Sequence, residues 1–184
     1  MKTTSEESKL GPVSPVDLNA FRTIFRHHPG GAALITSQLN GQHVALTVSS
    51  LISVSAVPPM IMFSVSGQSS SAQVLAEAET IVVHMLDVDR VELAKLGATS
   101  GIDRFGDAKR WTELTTGERV FHEAPVWFRA RIVQRIDVFG SSVCVAEILE
   151  SSVTGDDETD PAPGEGLVYA NRVWHRLGEH SQIN

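Results

Sequence analysis

Apolar residues along the chain change their period several times, and each change marks an element. From Pro15 the segment PVDLNAFRTIFRHH places Leu18, Phe21 and Phe25 at helical spacing, and Ile24 widens the stripe. Asp17 or Ser14 can cap this helix, and Pro29-Gly30-Gly31 ends it. Beyond that stop the helical period gives way to two apolar runs, residues 32–36 and 44–48, around Asn40-Gly41, the favoured dipeptide for a tight hairpin turn. A Ser-rich connection, SSLISVSAVPP, leads into residues 60–65, a run that is apolar but for Ser64 and has the length of a buried strand. SSSAQVLAEAE then offers Ser N-caps and sets Val74, Leu75 and Ala78 on one helical face.

Residues 80–86 form a further β-rich run. Asp87 caps a helix carrying Val91, Leu93, Ala94 and Leu96, and Gly97 is placed to end it. GATSGIDRFGDAKRWTELTTGE keeps no period, so a long surface excursion around Phe105 and Trp111 is expected. In VWFRARIVQRIDVF the residues Ala130, Ile132, Ile136 and Val138 fall on one parity, and Arg129, Arg131, Arg135 and Asp137 on the other, as in a long strand with one wet face. Residues 142–149 and 167–176 supply two more strands, separated by the acidic GDDETDPAPGEG.

Six or more strands, few of them separated by helices, predict a mainly β (α+β) domain: an antiparallel barrel, Greek-key-like, with peripheral helices. No G-x-G-x-x-G fingerprint argues for a doubly wound sheet. The reading divides the chain into a polar N-terminal tail over 1–14, one domain over 15–178 and a short C-terminal tail over 179–184.

Composition narrows the chemistry. The 184 residues carry a net charge of −7, which argues against nucleic acid or an anionic membrane as partner. Cys144 is the one cysteine, so neither an intrachain disulfide nor a Cys-based zinc site is expected. No apolar run reaches the roughly 18 residues of a membrane span, and a soluble, cytoplasmic protein is expected. The seven histidines lack H-x-x-x-H or H-E-x-x-H spacing, which leaves no metal assignment. There is no G-x-S-x-G elbow, and Cys144 sits in an apolar strand pattern, where an inert thiol is the usual outcome.

What stands out is hydroxyl density. Thr47, Ser49, Ser50, Ser53, Ser55, Ser64, Ser66, Ser69, Ser70 and Ser71 crowd the connections around one strand. Solvated turns and helix caps account for such residues in many proteins. The alternative is a neutral cradle of hydroxyls and loop amides for a flat heterocycle with imide-like edges, with a phosphate at the start of the helix after Ser69–Ser71.

The line FRTIFRHHPGGAALITSQLNGQHVALTVSSLISVSAVPP resembles the opening of the flavin reductase-like, FMN-binding split-barrel family. Its Phe21-Arg22, Pro29, Gly31, Asn40-Gly41, Thr47, Ser49-Ser50, Ser53-Val54-Ser55 and Pro58-Pro59 match that family's spaced signature. The likeness continues through the serines of 64–71, VVHML, Asp103-Arg104-Phe105, Trp111 and LVYANRVWHRL. It implies a split barrel that binds FMN, or FAD, at a homodimer interface. It further implies a reductase that passes electrons from NADH or NADPH to flavin for a separate monooxygenase.

By position, the resemblance puts Leu46, Thr47, Val48, Ser49 and Ser50 along the isoalloxazine. Ser64, Ser66, Ser70 and Ser71 would take the ribityl phosphate, with Arg104 and Phe105 near that tail or over the ring. Hydroxyls, helix-start amides and a guanidinium are suitable partners for phosphate. Two departures stand out: Gly140-Ser141-Ser142 replaces the family's Gly-Asp-His, and Ala45 replaces a preferred glycine. The first leaves two alternatives open, a non-catalytic flavin carrier or sensor and a flavoenzyme whose bound FMN reduces another acceptor.

Overall fold

A computed structural model describes residues 16–156, 160–161 and 164–183. The tail read over 1–14 and part of the acidic connector lie outside these residues. Helix α1 spans Leu18–Arg26, with Asp17 as N-cap accepting from the Ala20 amide at 2.7 Å. It is followed by β1 (Gly30–Gly31), β2 (Ala33–Leu39), β3 (Gln42–Val48), β4 (Ile52–Ala56) and β5 (Pro59–Ser66). Next come α2 (Ala72–Glu77), β6 (Thr80–Met85), α3 (Val91–Ala98), β7 (Trp111–Glu113) and β8 (Arg119–Phe121). The long strands β9 (Trp127–Val138) and β10 (Ser141–Ser151) precede β11 (Gly166–Ala170) and β12 (Val173–Leu177). Glu179–Ser181, inside the stretch read as a C-terminal tail, make one 3₁₀ turn.

Seven antiparallel strands in the order β3-β2-β6-β9-β10-β5-β4 form the main sheet, which curls around one apolar core. Because β9 and β10 insert between β5 and β6, the connectivity is Greek-key-like. Phe63, Ile35, Ile81, Val83 and Ala130 fill the interior, and Val74 and Leu75 of α2 close one end. β2 is buried on both faces. Its odd residues, Ala33 and Ile35, join that core, while Leu34 packs with Leu93, Ala94 and Phe121 in a second cluster beneath α3 and β8. A three-stranded sheet, β1-β11-β12, and a two-stranded one, β7-β8, complete the fold. No ladder joins β3 to β5, so the barrel is split there.

The expected hairpin is present as β2-β3. Asn40 and Gly41 take φ of 51° and 81°, the left-handed pair that matches strand twist. Five expectations change. The Ser-rich connection contains strand β4, an exposed edge on β5, where half-solvated backbone accepts serines as readily as β-branched residues. The region 167–176 is a hairpin rather than one strand, turned by Asn171 and Arg172 at φ of 50° and 64°. The excursion after α3 includes the β7-β8 hairpin. Gly97 lies inside α3 rather than beyond its end, because a Cβ there would meet the Thr47 amide nitrogen at 2.9 Å and the side chains of Leu34 and Thr47. The glycine is the helix-to-strand contact.

The fifth change concerns the long strand. β9 and β10 lose register where Gln134 pairs with Val145 and Ile132 with Ala146, which leaves Val133 as an extra residue. Beyond that bulge the parity inverts. Arg135 turns toward α2 and donates to the carbonyls of Leu75 (3.0 Å) and Ala78, and Ile136 and Val138 are exposed.

Candidate functional site

A cleft of about 530 Å³ opens where the barrel is split. One wall is the end of β3 and its following loop, Leu46 to Ser50; the opposite wall is Ser64, Val65 and Ser66 of β5. Gln68, Ser69 and Ser70 close the end before α2, and Gly97, Ala98, Ser100 and Arg104 form the rim beyond α3. Among the described residues no acidic one lines it. A second cavity of about 350 Å³ shares Thr47, Val48, Ser49 and Ala98 with the first and adds Lys95, Thr99, Tyr169 and Trp174. Both volumes fall in the range of small-molecule sites, about 300 to 1,000 Å³.

Nine of the eleven residues singled out in the sequence line the first cleft: Leu46, Thr47, Val48, Ser49, Ser50, Ser64, Ser66, Ser70 and Arg104. Ser71 and Phe105 do not. The Ser71 hydroxyl is fully buried and donates to the Ala45 carbonyl at 3.3 Å, tying α2 to β3. Phe105 stacks on Phe121 at 5.5 Å, meets the edge of Trp111 at 6.2 Å and lies under the Arg119 guanidinium at 5.1 Å. It is part of the packing between α3 and the β7-β8 hairpin, because an aromatic ring buries more apolar surface there than over an open cleft.

Several of the lining hydroxyls are struts. Thr47 Oγ1 donates to the Ala94 carbonyl at 2.6 Å and holds α3 against β3. Ser50 Oγ accepts from the Ser64 amide at 3.0 Å and lies 3.3 Å from the Ser64 carbonyl, bridging the two walls. The Ala45 methyl is packed with Leu93 and Ala94 on the α3 side, so the residue standing for the family's glycine takes no room from the cleft. Sequence reading missed Gln68, Ser100, Gly97 and Ala98 as lining residues, since the end of α3 reaches the serine loops only through the fold.

The donors that remain suit an anion. Ser64, Ser66 and Ser70 are exposed at the cleft. Arg104 donates from Nη2 to the Thr99 carbonyl at 2.6 Å, and its buried Nε lacks a partner. A guanidinium with a spare N–H beside free hydroxyls, with no carboxylate among the lining residues, fits a phosphate monoester. The edge amides after β3 fit a planar, imide-bearing ring. Ser142 is elsewhere: its hydroxyl donates to Asp137 at 2.7 Å, and its side chain faces the small void beside α2 with Cys144. Cys144 itself is buried, and that burial pushes its thiol pKa up. Among the described residues no helix is long and apolar enough to cross a membrane.

Comparison with known proteins agrees with this geometry. The model of the flavin reductase like domain matches residues 25–178. An NADH:FMN oxidoreductase of Rhodococcus qingshengii is 33% identical over 156 residues, 85% of this chain and 80% of that protein. The reductase component of 4-hydroxyphenylacetate 3-monooxygenase from Pseudomonas aeruginosa is 27% identical over 161 residues, 86% of this chain and 91% of its own length. The crystal structure of a flavin reductase domain protein from Arthrobacter sp. FB24 superposes with a TM-score of 0.78 at 28% identity, covering 87% of this chain and 95% of that one. With that match running from α1 to the end of β12, the chain belongs to the flavin reductase like domain family.

Proposed function

We propose that this protein is an NAD(P)H-dependent flavin reductase that supplies reduced FMN, or FAD, to a partner monooxygenase. The observation that carries the reading is the split-barrel cleft, whose free donors are Ser64, Ser66, Ser70 and the unpartnered Nε of Arg104. These groups would hold the flavin phosphate, while the segment Leu46 to Ser50 lies along the ring edge. Flavin, when bound, would supply the redox chemistry, two-electron reduction by a nicotinamide. The protein's part is binding and orientation. The second cavity, floored by Thr47 to Ser49 and walled by Tyr169 and Trp174, adjoins the cleft at the same strand end and would receive the nicotinamide.

A second copy of the chain would cover the apolar surface that one copy leaves exposed. On α1, Leu18, Phe21, Ile24 and Phe25 are each more than half exposed, and no residue of that helix is buried. A surface of this kind on a water-soluble protein implies a partner. A cytoplasmic location accords with the oxygenase partnership.

The deciding assay follows NADH and NADPH oxidation at 340 nm with rising free FMN or FAD. Turnover that saturates in free flavin is the expected result. Flavin binding without nicotinamide oxidation would instead identify a carrier, and turnover with tightly bound flavin but no response to added flavin would identify a different acceptor.

A further inference from the structure

Among the described residues that line the 350 Å³ cavity beside the cleft, one side chain is charged, Lys95. Its place there follows from how α3 is fastened. The Thr47 hydroxyl donates to the Ala94 carbonyl at 2.6 Å, and Gly97 has no side chain to hold the helix away from β3. With residues 94 and 97 against the strand, the adjoining face of α3 borders the cavity: Lys95, Ala98 and Thr99, at positions i, i+3 and i+4.

The Lys95 ammonium also meets Glu92, one turn back on the helix, at 2.6 Å. Glu92 does not line the cavity, and its side chain is 77% exposed against 51% for Lys95. Water screens the carboxylate more than the ammonium, so the pair presents its positive end to the cavity. A lysine in the last turn of a helix is favoured by the helix dipole whatever lies beside it. Here the cation has a further consequence, because Tyr169 and Trp174, with ring centroids 4.7 Å apart, wall the same space. Aromatic faces attract cations. The oxidised nicotinamide ring carries one positive charge and the reduced ring is neutral, so these walls alone would hold the oxidised donor the more tightly.

We propose that Lys95 is a charge-selective residue: its ammonium repels the cationic ring and gives the cavity a preference for reduced over oxidised nicotinamide. The role rests on the reading of this cavity as the nicotinamide site. Its effect is to release the spent donor and to keep the cavity open to the reduced form when the oxidised form is in excess. One unit charge about 5 Å from another in a largely aqueous surrounding shifts an equilibrium about fivefold.

The test is a ratio of affinities on the full-length protein without added flavin, NADH followed by its fluorescence and NAD+ by displacement of NADH, with the phosphorylated pair treated in the same way. The two forms differ in the nicotinamide ring alone, so contacts to the rest of the dinucleotide cancel in the ratio. Lys95→Gln should lower the Kd of NAD+ relative to that of NADH about fivefold. Glu92→Gln, which removes the counter-charge, should raise the same ratio. Both shifts should shrink as salt is raised. Under turnover with FMN the ratio is read again as the product-inhibition constant of NAD+ over the KM for NADH, and it should move in the same directions.

Opposite responses from the two members of one exposed ion pair do not arise from lost packing or a weakened helix end, which would move both affinities together. An unchanged ratio in Lys95→Gln, or a ratio that moves the same way in both variants, overturns the proposal and leaves the reductase reading standing. If the unaltered protein neither binds either form nor oxidises NADH or NADPH in the presence of flavin, the nicotinamide reading of the cavity is removed and this proposal with it.

Discussion

His84 gives the fold a calculable response to acid. It lies on β6, fully buried between the two apolar clusters, and both ring nitrogens are engaged. Nδ1 is 3.1 Å from the Leu34 carbonyl, and Nε2 accepts from the Phe121 amide at 3.0 Å. The second bond fixes the tautomer: Nδ1 carries the proton and donates to Leu34, and Nε2 is the acceptor. Protonation would set an N–H against the Phe121 N–H in a fully buried site. Desolvation accordingly lowers the pKa to about 4, only partly offset by the Leu34 carbonyl and the charge of Glu123.

An unfolded chain titrates this histidine near 6.5, so between pH 6.5 and about 4 the unfolded state binds the extra proton. Folding stability is therefore undiminished above pH 6.5 and falls as pH is lowered through that window. The 2.5-unit gap amounts to about 3 kcal/mol by pH 4, and the loss levels off below it.

The assay is urea denaturation followed by tryptophan fluorescence at half-unit pH intervals, on the protein and on His84→Gln. The variant should be less stable at pH 7.5 by about 1 to 3 kcal/mol, since one main-chain partner is left unsatisfied. Every other titration is common to both proteins, so the difference between them isolates this residue. That difference should shrink by about 3 kcal/mol between pH 7 and pH 4. A difference that stays constant with pH, or a His84 NMR titration centred near 6.5, refutes the reasoning.

Other expectations address the cleft. Gly97→Ala forces a methyl against the Thr47 amide nitrogen at 2.9 Å, so it should cost about 1 to 3 kcal/mol and weaken FMN binding, measured by denaturation and fluorescence quenching. Arg104→Ala should raise the FMN Kd about tenfold and leave riboflavin, which has no phosphate, bound as before; equal losses for both would place Arg104 away from the phosphate. Phe105→Leu should lower stability by about 1 to 2 kcal/mol through its rings with Phe121 and Trp111, with the FMN Kd unchanged in a titration.

The parts of the fold legible in the sequence are those where a local rule and the tertiary environment agree. Asn40-Gly41 dictates its turn whatever surrounds it, and residues 80–86 are apolar except for Thr80 and His84 because β6 lies between two buried clusters. Edges and irregularities were hidden. β4 carries serines because its backbone is paired on one side only, and the Asn171-Arg172 turn lacks the glycine that would have announced it. The bulge at Val133 was invisible as well: a single extra residue inverts every later side chain of β9, and no residue type is required to make it.

The same distinction governs the cleft. Hydroxyl identity was readable from the chain, but hydroxyl direction is set by strand parity and by which carbonyl lies opposite. On β5 the odd residues Ile61, Phe63 and Val65 are buried and the even residues Ser64 and Ser66 are exposed, so period two alone assigns the latter to the cleft. Thr47 and Ser71 obey different demands, since the carbonyls of Ala94 and Ala45 need donors where α3 and α2 cross β3. A hydroxyl committed to a buried carbonyl is worth more to the fold than to a ligand. The cleft therefore has a division of labour that its serine-rich sequence conceals. Thr47, Ser50 and Ser71 determine its shape, and the hydroxyl protons of Ser64, Ser66 and Ser70 and the Nε of Arg104 remain uncommitted.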